Sequence, residues 1–269
     1  MNGHLSRVAR SLTGWITGPR VRILISLAGG LLAWEIVGRL SSPLIFVPFS
    51  ETAAAFNRAL LSGELIRHGM VSFLELAVGF FIGVIVGILG GLLSAFKRNF
   101  REMTDFWISA AYSIPYVALI PLFIVWFGIG LASKIALVIF AVFIPIWLNT
   151  YAGVTSVDSN LLELAKSFDA SRFQTLLWIV LPWSLPSLIV GLRLALSRGF
   201  IAVVVGELIG ATEGLGFLIN VAANTFQTAK LLAGVVALAL ITIGIVELLK
   251  WIQRKAVPWW ELRSDIEAP

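Results

Sequence analysis

Asn160-Leu161-Leu162-Glu163-Leu164-Ala165-Lys166-Ser167-Phe168-Asp169-Ala170-Ser171-Arg172-Phe173-Gln174 is a polar insert between two membrane-length apolar stretches, and it runs on into Ile179-Val180-Leu181-Pro182. Asn160 with Glu163, and Ser171 with Gln174, have the spacing of a capping box, in which a small polar N-cap and an acid or amide at N3 satisfy each other's backbone N–H groups. The stretch therefore reads as two short helices meeting at an elbow. A connector that only returns the chain to the bilayer can be short and unstructured, so a folded helical insert points to a docking surface. Leu161, Ala165 and Phe168 form one apolar stripe at i, i+4 and i+7, and Glu163, Lys166 and Ser167 form a polar face. One side can hold the insert to its own body while the other meets a partner. An amphipathic helix lying on lipid is the alternative reading of the same pattern.

Of the 269 residues, 58% are hydrophobic and only 13% charged, more apolar surface than a soluble domain of this length can bury. Lipid cannot satisfy an open backbone, so the expected fold is an all-α integral membrane protein. A spanning helix needs about 20 mostly apolar residues, and six stretches qualify: roughly 21–39, 70–96, 104–127, 132–153, 185–209 and 231–253. Cysteine is absent and histidine occurs only at His4 and His68, which excludes disulfides and any histidine or thiolate metal cluster. The net charge of +5 suits anionic lipid; the basic residues are scattered among loops, which argues against nucleic acid as a partner.

With the N-terminus cytoplasmic, the inside segments hold thirteen Lys and Arg residues and the outside segments five, Arg39, Arg58, Arg67, Lys134 and Lys230. The positive-inside bias thus places both termini and the insert in the cytoplasm. The first span follows arginines but lacks a small-residue cleavage pattern and is long for a signal peptide, so it reads as a retained anchor. Before it, Leu5, Val8, Leu12, Trp15 and Ile16 recur at helical spacing, giving residues 1–20 the pattern of a cytoplasmic helix on the inner leaflet, with a frayed tail as the alternative.

Gly79, Gly83, Gly87 and Gly91, four residues apart, cut a groove where another helix backbone can approach. Pro115 and Pro121 should bend or break the third span, and Pro145 the fourth. Ser50 to Leu61 reads as a short external helix ending in the turn Ser62-Gly63, and Gly210 to Lys230 as a long outer loop. Glu35, Glu75 and Glu247 sit near span ends, where a side chain can snorkel, leaving Glu207 as the deepest acid.

A phosphate-cradling G-x-x-x-x-G-K-[ST] loop is missing, since no lysine follows a glycine. If the chain transports actively, the energy must come from another subunit or an ion gradient. An intramembrane enzyme would need clustered acids, histidines or a metal motif, and a gradient-driven carrier would normally show two related helix bundles. Neither pattern is present.

Glu163, Ala165, Ile179, Leu181 and Pro182 fall without a gap on the EAA loop of the membrane subunits of bacterial ABC importers, which this stretch resembles. Leu164 replaces an alanine of that pattern, and Asp169 stands where the family has glycine, the residue that ends the first short helix in a left-handed conformation. The run Pro115 to Leu122, continuing through Trp126-Phe127-Gly128-Ile129-Gly130, is similar to the third span of the permeases for sulfonates, taurine, nitrate and related compounds. Gly214 to Ile219 and Gly63-Glu64-Leu65 resemble further pieces of that subfamily; Glu75 falls where it usually has arginine. The likeness covers roughly residues 43–255.

The resemblance implies a type I importer-like permease domain over 21–257 with a coupling loop at 158–182, a cytoplasmic tail at 258–269, and a place in a bacterial inner membrane. It implies that Glu163, Leu164, Ala165, Lys166, Phe168, Asp169 and Ala170 seat in a cytoplasmic ATPase dimer. That partner would hold the ATP and Mg, with no catalytic site or cofactor in this chain. It also implies a second permease copy, most simply a homodimer, an extracytoplasmic binding protein on the outer loops, and a small anion as substrate, with a vitamin precursor as the alternative. Spans three to five would enclose the pathway, which makes Ser109, Tyr112, Ser113, Tyr116, Asn149, Ser197, Arg198 and Glu207 the candidate lining. Arg198 and Glu207 lie about 13 Å apart along one helix, too far to pair, so each needs water or a partner on another helix.

Overall fold

The computed structural model describes residues 19–256, with side chains from 21 to 255. The expected N-terminal surface helix, apart from its last two positions, and the C-terminal tail lie outside these residues. Among the described residues the chain is helical throughout, as a backbone in lipid must be. In order these are α1 (Pro19–Leu40), α2 (Phe49–Leu61), α3 (Glu64–Phe96), α4 (Arg98–Ser113), a 3₁₀ turn (Tyr116–Leu119), α5 (Ile120–Phe127), α6 (Leu131–Thr155) and α7 (Ser159–Ser167). Then follow α8 (Arg172–Thr175), a π turn (Leu176–Val180), α9 (Leu181–Gly210), α10 (Leu215–Asn224) and α11 (Thr228–Ala256).

The core is α3, α6 and α9 packed side by side, with Leu137, Val138, Val142, Ala195, Ala202 and Val203 nearly inaccessible. Apolar side chains gain nothing by leaving lipid for each other, so close backbone approach has to supply the cohesion. The glycine groove of α3 provides it. Gly79, Gly83, Gly87 and Gly91 receive Val138, Val142, Ile146 and Thr150 of α6 in the same register, and a Cβ on Gly79 or Gly87 would stand only 2.6 Å from Val138 or Ile146. The groove read from the sequence is thus a helix–helix seam.

Three expectations are corrected: the length of the second span, the effect of Pro121 and Pro145, and the loop 210–230. The second span is longer than expected, starting at Glu64 and running 33 residues. The third span breaks, as its prolines imply: α4 and α5 meet at 91°, so among the described residues five helices satisfy the requirements of a span and a sixth crossing exists as this broken pair. Pro115 lies at the break, whereas Pro121 sits in the first turn of α5, where a missing N–H costs nothing. Pro145 breaks nothing; it is buried in a helix that continues to Thr155. Finally, the segment 210–230, expected as an outer loop, is no open loop, because it folds into α10, whose Leu215, Leu218 and Ala222 are buried.

On the side opposite the insert, α2 is the short helix expected after Pro48, followed by Gly63 at φ 78°. It is capped from α1: Glu35 accepts hydrogen bonds from the Ser50 N–H (2.9 Å) and hydroxyl (3.0 Å), and Trp34 Nε1 donates to the Val47 carbonyl (3.1 Å). Elsewhere α1 stands clear of the body.

Candidate functional site

The insert is built as a rigid bracket. Asp158, not Asn160, is the N-cap of α7, and its carboxylate accepts from the Asn160 N–H at 2.9 Å. Leu161, Leu162 and Ala165 turn inward, Ala165 being 5% exposed. Glu163, Leu164 and Ser167 are exposed, Lys166 is exposed at the edge facing the body, and Phe168, which the i+7 spacing had put on the inner stripe, is exposed too. Phe168 is the C-cap, with φ −95° and ψ 14°, and departure from helical dihedrals swings it off the stripe to 77% exposure. The helix then ends in a Schellman motif: the Ala170 N–H donates to the Ala165 carbonyl and the Asp169 N–H to the Lys166 carbonyl, both at 3.0 Å. Asp169 takes the left-handed position at φ 52°. Aspartate thus supplies the left-handed turn that the resemblance assigns to glycine.

Beyond the elbow the expected capping box is present: the Gln174 N–H donates to Ser171 Oγ (3.2 Å) and the Ser171 N–H to Gln174 Oε1 (2.8 Å). The second short helix is not separate, however. It passes through the π turn into α9 as one 39-residue rod, Arg172–Gly210. Trp183 Nε1 donates to the Ser156 carbonyl (3.0 Å), tying the foot of α9 to the end of α6. The exposed side chains Leu164, Phe168 and Phe173 thus stand on a segment joined to two core helices, by the Trp183–Ser156 bond and by the continuous rod into α9. Exposed apolar side chains beside Glu163, held on a capped helix and elbow, are what a protein-docking surface requires.

The candidate pathway residues divide. Ser109, Tyr112 and Ser113 lie exposed at the end of α4, beside the break, and the Arg198 guanidinium stacks on Tyr112, 4.6 Å from the ring centroid. Tyr116, in the 3₁₀ turn after the break, is half-buried against the core. Ser197 is exposed, its hydroxyl bonded to the Arg193 carbonyl. Asn149 belongs to the α6–α9 seam: its Nδ2 donates to the Pro145 carbonyl (2.8 Å), and Gly191 packs on its Cβ. Glu207 is 1% exposed and serves another cluster altogether.

That cluster was missed in the sequence. Lys134 of α6 pairs with Glu75 of α3 at 2.6 Å, the two side chains 5% and 0% exposed. Glu75 therefore does not snorkel, and Lys134 is no loop cation. Beside them Glu207 accepts from Ser72 Oγ (2.6 Å) and the Gly216 N–H (2.7 Å). Ser72 Oγ accepts from the Leu215 N–H (2.9 Å), and His68 Nδ1 from the Gly214 N–H (3.0 Å). The first-turn amides of α10, which no intrahelical carbonyl can reach, are thereby clamped to α3 and α9. The available signal was His68, Ser72 and Glu75 recurring at i, i+4 and i+7 on one face of an apolar span. The arrangement holds helices together, and among the described residues no group of His, Asp or Glu has the makings of a metal site.

Comparison with known proteins agrees with this architecture. Residues 79–261 match the family described as binding-protein-dependent transport system inner membrane component. A putative aliphatic sulfonates transport permease of Bacillus subtilis is 30% identical over 253 residues, covering 93% of this chain and 90% of that protein. A riboflavin transport system permease of Chloroflexus aurantiacus is 34% identical over 243 residues, covering 90% and 91%. In fold, the chain resembles a subunit of the MetNI methionine ABC transporter crystallised in inward-facing conformations, with a TM-score of 0.60 at 20% identity over 69% of this chain and 93% of that one.

Proposed function

The chain belongs to the family of binding-protein-dependent transport system inner membrane components, and on that premise we propose how it is driven and what it carries. It is a membrane permease subunit of an ABC importer. The insert is the seat of a separate cytoplasmic ATPase, which supplies the ATP and Mg chemistry. The observation that carries this reading is the exposed Leu164–Phe168–Phe173 edge on a bracket bonded at both ends into α6 and α9.

The other assignments follow from physical requirements. Both termini and the insert face the cytoplasm of a bacterial inner membrane, by the distribution of Lys and Arg. A second copy closes the face of α4, α5 and α9 where Ser109, Tyr112, Ser113 and Arg198 are otherwise open to lipid. A binding protein delivers substrate on the α2 and α10 side. The substrate is a small anion such as a sulfonate, supported by Arg198: among the described residues it has no carboxylate partner, and it stands beside the break on a tyrosine ring. A vitamin is the second reading, favoured by the riboflavin permease relative.

Affinity capture of the full chain from its own membranes tests the coupling. The wild type should recover a cytoplasmic ATPase. Leu164→Ala with Phe168→Ala should lower recovery about thirtyfold, as loss of a central apolar anchor does, with unchanged thermal melting. Undiminished recovery from that variant would remove the insert from the contact.

A further inference from the structure

The inner side of the bracket does not close on the body. Between the ends of α3 and α6 and the elbow lies a cavity of about 620 Å³, walled by Phe96, Val154, Leu162 and Leu176, with Lys166 and Arg172 on its lining. The volume is that of a small-molecule site rather than a packing flaw. Its chemistry is lopsided. The insert segment 158–180 carries five charged residues, and both cations line this space while none of the three acids, Asp158, Glu163 and Asp169, does. Ion pairs among the described residues engage Arg39, Arg67, Arg98, Lys134, Lys230 and Lys250, but neither Lys166 nor Arg172.

Depth identifies the occupant. Phe96 and Thr155 are the last residues of two spans, so the apolar wall lies at the boundary of the hydrocarbon. Trp178, 79% exposed, and Trp183 stand nearby as side chains suited to the headgroup level. An apolar recess at the acyl boundary, with two unpaired cations one step further out, fits a lipid with an anionic headgroup. We infer that this cavity is a seat for one anionic phospholipid, its headgroup on Lys166 and Arg172 and the start of its acyl chains against Phe96, Val154 and Leu162. Basic pockets between helices on the cytoplasmic side bind such headgroups for the same reason. The lipid fills the gap between bracket and body, so the inner leaflet's composition sets how firmly the insert is braced.

Native mass spectrometry of the full chain, equilibrated with mixed micelles of phosphatidylglycerol and phosphatidylcholine, reads this directly. The wild type should retain phosphatidylglycerol in preference to phosphatidylcholine. Lys166→Gln with Arg172→Gln should weaken retention about thirtyfold, the expected loss for two headgroup cations. Lys97→Gln with Arg98→Gln, which removes equal charge on the same membrane face, should leave it unchanged. Ala95→Phe, which fills the cavity and keeps every charge, should displace the lipid; Leu162→Trp takes its place if that variant does not fold. Equal loss from both charge pairs would reduce the effect to surface attraction and overturn the site. Retention without headgroup preference would overturn it too, and so would retention undiminished by a filled cavity.

Discussion

The far-side cluster around Lys134 and the insert around Asp169 both place polar groups where an apolar chain would otherwise run, and they dispose of them in opposite ways. In the cluster, Lys134, Glu75, Glu207, Ser72 and His68 turn toward one another and toward the first amides of α10. In the insert, backbone groups are satisfied by caps, while Glu163, Lys166 and Arg172 point away from every carboxylate or ammonium partner among the described residues. Charge spent inside the chain is architecture; charge left open on a rigid mount is available to something else. Only the second region should respond to partners, and only the first should set the stability of the fold.

Lys134→Met gives the widest separation between the two. It leaves the Glu75 carboxylate buried beside Glu207 without a cation, a loss of about 3–5 kcal/mol when one member of a buried pair is removed. The thermal midpoint in detergent should fall sharply. Adding Glu75→Leu should restore most of it, because an apolar pair costs no desolvation. An unchanged midpoint for Lys134→Met alone would mean that the cluster is not structural and the contrast fails.

Gly214→Ala strikes the same cluster more gently. Gly214 sits at φ 113°, and a Cβ there would overlap the Glu207 carboxylate. The expected cost is about 1–3 kcal/mol, the scale of backbone strain and overpacking. Hydrogen exchange should quicken at the Leu215 and Gly216 amides while ATPase recovery stays unchanged. If recovery falls and those amides stay protected, the far side communicates with the insert in a way the contacts do not provide.

The parts of this molecule that sequence reveals are those whose physics is local. The capping box Ser171–Gln174 and the left-handed turn at Asp169 involve residues within reach of each other on the chain. The glycine groove shows because a four-residue period is a helix face. Pro115 marks where the third span fails, but not that the halves meet at 91°, which depends on the 3₁₀ turn packing on α9. Pro145 looks equivalent in sequence and breaks nothing, because α6 is gripped on both faces by α3 and α9. In sequence Glu75 looks like a snorkelling acid near a span end and Lys134 like a cation of an outer loop, and their pairing follows only from the register of the α3–α6 seam. Asp158 displaced Asn160 as N-cap because both side chains can cap, and the choice rests on where α6 lets go.

Asp169 offers the smallest effect and the closest look at the open region. An L-residue in the left-handed well is strained by roughly 1–2 kcal/mol, less for aspartate, whose short side chain tolerates that conformation. Asp169→Gly removes the strain but loosens the unfolded chain, so the net gain should stay below about 1 kcal/mol. Asp169→Ala keeps the strain without the tolerance, and Asp169→Val adds β-branching to it. Exchange at the Ala170 amide, which donates to the Ala165 carbonyl, should therefore slow for glycine and quicken progressively for alanine and valine. ATPase recovery should follow the same order, because the elbow aims Phe168. The global melting midpoint should barely move, since no core helix ends there. If the midpoint shifts as far as it does for Lys134→Met, the insert is part of the fold's foundation rather than a mount standing on it.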